Sequence, residues 1–166
     1  MKHEERRIAA RILVGAAVSC LMALGARPAA AAIREADIAA ASRLELLEKA
    51  ASGSYQSYSI SIVIAEGTTT LTTNKDGERA VLDVPVEKAL SLWRKLLDAG
   101  LEDLKSASAD TLAPDASEFT LSFRVGEARG GFTASGVDSL ADTRYREIIR
   151  EILKFADKRV AGARDK

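Results

Sequence analysis

Residues 57–84 read SYSISIVIAEGTTTLTTNKDGERAVLDV, and the period of this stretch decides the fold. Tyr58, Ile60, Ile62 and Ile64 alternate with Ser59, Ser61 and Val63, the two-residue period of a half-buried strand. Glu66-Gly67 marks a turn, and Thr68–Thr73, β-branched around Leu71, continues as a second strand. Asn74-Lys75-Asp76-Gly77 offers residues that tolerate positive φ, so a hairpin loop is expected there. Glu78–Val84 then forms a third strand with Ala80, Leu82 and Val84 on one face.

Downstream the period lengthens. Pro85 suits the first turn of a helix, where its missing N–H costs nothing, and Glu87 complements the helix dipole. Val86, Leu90, Trp93 and Leu97 make an apolar stripe widened by Ala89 and Leu96, and Gly100 is placed to end the helix. After a polar loop over Ser106–Ser117, the order returns in outline. Phe119, Leu121, Phe123 and Val125 alternate with Thr120, Ser122 and Arg124, and a glycine-rich turn leads to Phe132, Thr133 and Ala134. Ser139 and Asp142 suggest a capping box for a last helix that buries Tyr145, Ile148, Ile149, Ile152, Phe155 and Ala156. Upstream, Ile33, Ala36, Ala40, Leu44, Leu47 and Ala51 recur at helical spacing, predicting a weak alanine-rich helix that Ser52-Gly53-Ser54 ends.

The expected fold is therefore α+β: an antiparallel sheet of about five strands, two long helices on one face, and the weak N-terminal helix at an edge or loose. Residues 33–54 form that helix and a linker, residues 55–162 a single domain, and residues 163–166 a tail. The order resembles that of a class of small secreted bacterial domains of unknown function. The resemblance covers Tyr55–Val160 and rests on YSISIVIAEG, LWRKLLDAGLEDL and SEFTLSFRVGE. It implies one layered α+β unit in which a strand-hairpin-helix unit occurs twice, and it implies no activity.

The first 32 residues read as an address. Lys2, Arg6, Arg7 and Arg11 precede an uncharged run, Ile12–Ala26, and Ala29–Ala32 follow, the three parts of a secretory signal peptide. The run is shorter than the ~20 residues of a stable membrane span, so a retained anchor fits less well. A twin-arginine signal at Arg6-Arg7 lacks the following Phe-Leu, and Val18-Ser19-Cys20 only loosely resembles a lipoprotein acceptor. Cleavage near Ile33 is expected, leaving a periplasmic or secreted chain.

Cleavage changes the chemistry available. The whole chain has 24 basic and 24 acidic residues; five of the former and two of the latter lie in residues 1–32, leaving 19 and 22, a net charge near −3. No electrostatic drive toward nucleic acid follows from that balance. His3 and Cys20 are the only residues of their kinds and leave with the signal, which excludes His-dependent hydrolysis, thiol chemistry, disulfides and Cys/His zinc sites. No cofactor and no metal is expected.

Several patterns invite chemistry and have plainer explanations. Asn74, Asp76, Gly77 and Asp83 fall on positions of a calcium loop, but Thr72 and Ala80 occupy two others and the flanks read as strands. The glycines of Gly126–Gly131 lack a following Lys-Ser/Thr, as a phosphate loop requires. Glu102-Asp103, and Asp110 with Asp115, read as solvated carboxylates, and Trp93 as core. What survives is a face. If the apolar strand residues meet the helices, Ser59, Ser61, Thr120, Ser122 and Arg124, with Val63, lie opposite, as a protein-docking surface or as the wet side of the sheet. A non-catalytic interaction domain is the expected function; the alternative is a carboxylate-only or metal-assisted hydrolase, which a deep pocket with convergent carboxylates would favour.

Overall fold

Strict alternation builds the largest part of the molecule. The computed structural model describes residues 33–50, 57–113 and 115–164; residues 1–32, where a signal segment is expected, the expected helix stop at Ser52-Gly53-Ser54, and residues 165–166 lie outside them. Strands β2 (Ser57–Ala65), β3 (Thr68–Lys75) and β4 (Glu78–Asp83) form an antiparallel meander. Its second turn has Asp76 at φ 54° and Gly77 at φ 89°, the double left-handed geometry that lets a two-residue loop follow the strand twist. Helix α2 (Val86–Asp98) follows, closed by Gly100 at φ 82°. Strands β6 (Glu118–Val125) and β7 (Ala128–Ser135) form the second hairpin, and helix α3 spans Arg144–Arg164.

Where alanine spacing predicts one helix over Ile33–Ala51, the chain forms helix α1 over Glu35–Ala40 only and then strand β1 over Ala41–Lys49. Leu44 fits both periods; the buried row Ser42, Leu44 and Leu46 fits only a strand, since Leu47 points away. β1 pairs antiparallel with β2 on one side and with β6 on the other, and these two ladders override the helix preference of its Leu, Glu and Lys residues. A second strand hides in the polar loop: β5 (Ala107–Ser108) pairs parallel with β7. The sheet therefore has seven strands in the order β4-β3-β2-β1-β6-β7-β5 and is mixed, not a five-stranded antiparallel sheet.

All three helices cover one face. Ile60, Ile62, Leu71, Leu121, Phe123 and Phe132 of the sheet are buried against Leu92, Trp93 and Leu96 of α2 and Ile148, Ile149 and Ile152 of α3. Trp93, fully buried as core, meets the Phe123 ring edge-on at 6.1 Å, and Phe132 meets Tyr145 in the same way at 5.0 Å. Ion pairs tie the layer together: Arg94 of α2 binds Glu35 of α1, and Lys95 reaches Glu151 of α3 at 2.7 Å. Ser139 sits in a short 3-10 turn, and Asp142 takes the capping role instead, accepting the Arg144 backbone N–H at 3.0 Å.

Candidate functional site

Side chains alternate across a strand, so a sheet with helices on one side must present its other parity outward. That parity carries all five predicted residues. Ser59 and Ser61 are half-buried, and Thr120, Ser122 and Arg124 are exposed. Among the described residues no helix covers them. The predicted residues come from β2 and β6, which are not neighbours: β1 runs between them and contributes Arg43, Glu45 and Leu47.

Register sorts the face into rows. Ser59, Leu47, Thr120 and Thr133 lie opposite one another in turn, and the two threonine hydroxyls meet at 3.3 Å. Ser61, Glu45, Ser122 and Gly131 form the next row. Beyond it stand Val63, Arg43, Arg124 and Arg129. The first two rows are low because Ser, Thr and Gly predominate; the third is tall and cationic. Arg43 binds Glu45 at 2.5 Å, and Arg124 Nε donates to the Gly126 carbonyl at 3.1 Å. Leu47, 46% exposed, is the large apolar group on this part of the face.

Gly131 shapes the rows. Its φ is +150°, and an added Cβ would lie 2.2 Å from the Leu121 carbonyl oxygen, so the position excludes any side chain and leaves the ground beside Ser122 flat. Neighbouring Gly130 faces the helices, where the Phe123 ring fills the space a Cβ would take.

Chemistry of the other class finds less support. A cleft of about 550 Å³ lies between the end of β4, the start of α2 and the last turns of α3. Asp83 is its one carboxylate; Lys88, Lys158 and Arg159 are its other charged groups. Arg159 lies over the Phe155 ring at 3.7 Å, and partial burial lowers its pKa. Asp76, in the hairpin turn, is a full strand length from Asp83, so the two cannot share one calcium ion. Among the described residues no three acidic, His or Cys side chains gather to hold a metal, and no helix is long and apolar enough to cross a membrane. Tyr58 donates to Asp157 at 3.0 Å, joining β2 to α3; burial, then the carboxylates of Asp157 and Glu48, raise its pKa and keep it protonated.

Arg43, Glu45 and Leu47 were hidden from sequence reasoning by the helical spacing of the surrounding alanines. The alternation of SRLELLEK over residues 42–49 was the available signal. Arg129 was hidden because Gly126–Gly131 read as one long turn, whereas β7 begins at Ala128. No protein-family model matches the chain, and no curated protein matches it.

Proposed function

We propose that the chain is a non-catalytic docking domain, exported from the cytoplasm, that meets a protein partner on the open face of its sheet. One observation carries this reading: hydroxyls and cations from four neighbouring strands stand in register on a face that no described helix covers, while the helix side is closed by a continuous core. Short side chains lose little rotamer entropy on binding and admit a flat partner. The basic, apolar and small-residue segments of residues 1–32 support export, and the product should start within a few residues of Ile33 by mass spectrometry; a full-length product overturns the export reading.

The docking reading is tested by placing a photo-crosslinking residue at position 61 or 122, and at Lys154 on the exposed side of α3, in the full chain in its native compartment. Crosslinks to one identified protein should form from positions 61 and 122. Crosslinks only from position 154, or none from the face, overturn it. With the photo-crosslinking residue placed instead at position 59 of the same face, a Ser61→Lys plus Ser122→Lys variant should fold as the parent does and lose the crosslink that the parent gives from that position.

A further inference from the structure

The docking face has a polarity that the hydroxyl rows do not explain. Arg43, Arg124 and Arg129 stand directly opposite one another on three adjacent strands. Like charges in directly opposed positions cost a sheet stability, and strands lie only about 4.8 Å apart. Neutralisation from within the fold is partial: Arg43 has Glu45, Arg124 has the Gly126 carbonyl, and Arg129 has no ion pair among the described residues. Glu127, in the turn beyond the row, forms no ion pair with them. Two guanidinium forks are thus open to carboxylates on the outer side.

Resting on the docking reading above, we propose that this row recognises the partner, and that the partner offers it an acidic helix crossing the strands. Spacing selects the helix. Carboxylates at i, i+4 and i+7 of a helix recur about every 5–6 Å, close to the opposed positions of neighbouring strands at about 4.5–5.5 Å. Same-side carboxylates of an extended segment recur at about 6.6 Å, twice the rise of a strand, and slip out of step with three successive arginines. The flat ground at Ser122 and Gly131 leaves room for a helix to lie alongside the row, and Val63, next in line after Arg43, meets whatever follows the acidic stretch. Arginine suits the task because its planar fork takes a carboxylate through two parallel hydrogen bonds.

The experiment titrates the full chain against a fluorescent, alanine-based helical peptide bearing Glu at i, i+4 and i+7, followed by anisotropy. Binding should weaken as salt rises and should fall at least about tenfold, equivalent to about 1.4 kcal/mol, in an Arg124→Gln plus Arg129→Gln variant. A Lys88→Gln plus Lys158→Gln variant, which removes the same charge from the distant cleft, should bind as the parent does. The arginine variant should melt no lower than the parent, since it removes opposed like charges. Equal binding of a Gln-for-Glu peptide, equal binding by the arginine variant, or tighter binding of a sulfated polysaccharide or of vesicles of anionic lipid through the same arginines overturns the proposal. If crosslinking from position 122 to the native partner persists undiminished in the arginine variant, the acidic-helix proposal falls while the docking reading stands; if no crosslink forms from the face at all, both fall.

Discussion

Leu46 and Leu47 are adjacent, chemically identical and oppositely placed, so shortening each in turn measures whether residues 41–49 form a strand. A helix built on the stripe of Leu44 and Leu47 would bury Leu47. As a strand, β1 directs Leu46 between Ile60 of β2 and Leu121 of β6 with 2% exposure, while Leu47 stands 46% exposed between Ser59 and Thr120. Leu46→Ala removes the outer carbons of a fully packed side chain and leaves a cavity flanked by two ladders that cannot close independently. By analogy with other buried leucines this costs about 3 kcal/mol, within a range of roughly 2–5. For a domain of this size that lowers the melting temperature by about 10 °C. Leu47→Ala should cost no more than about 0.5 kcal/mol, or about 2 °C, as for surface changes in general. Thermal melts followed by circular dichroism and urea titrations on both variants give the comparison. Equal losses, or a larger loss for Leu47→Ala, would refute the placement of β1 and with it the rows of the docking face.

Other consequences follow from particular contacts. Gly131→Ala forces a Cβ within 2.2 Å of the Leu121 carbonyl at a φ of +150° and should cost about 2–4 kcal/mol in urea titrations, whereas the atoms nearest an added Cβ at Gly130 are the outer carbons of the Phe123 ring, a side chain that can tilt, and Gly130→Ala should cost about 1 kcal/mol. Thr69 and Ser42 flank Ile64 on the helix side with hydroxyls that have no hydrogen-bond partner; Thr69→Val keeps the shape, removes the orphan, and should raise stability by about 1 kcal/mol. Tyr58→Phe removes the bond to Asp157 and should cost about 1 kcal/mol at neutral pH. Because the folded state holds the Tyr58 proton above its ordinary value of 10.0, that contribution is complete below pH 10 and is lost as pH rises beyond it; denaturation of both proteins between pH 8 and 11 should show the difference shrink, and a difference that grows with pH would reverse the assigned sign.

The legible parts of the fold were those where one period ruled. In β6 every apolar residue has a polar neighbour, in β2 the core row Tyr58, Ile60, Ile62 and Ile64 alternates with serines as far as Val63, and in α3 all six predicted core residues are buried. β1 was not legible because Leu44 satisfies both periods and the alanines before it favour a helix; only pairing with two distant strands settles it. β5 is two residues long and exists because Ala109 N–H and the Ser106 hydroxyl engage β7, a tertiary event with no local signature. The face inherited both failures. Parity found Ser59, Ser61, Thr120, Ser122 and Arg124, but the strand that joins them supplied the missing charge, and a misjudged turn concealed Arg129.

The central place of β1 also bears on how the molecule is made. As the chain emerges from its N-terminus, β1 to β4 can zip up through short-range hairpins while β6 is still unmade. β1 then waits with one side of its backbone unpaired until a strand far along the chain arrives. Ladders of such high contact order form slowly, and an unpaired edge is a template for another chain in the same state. Refolding yield should therefore fall with protein concentration, by association between half-formed sheets at an edge that the finished fold buries in its middle.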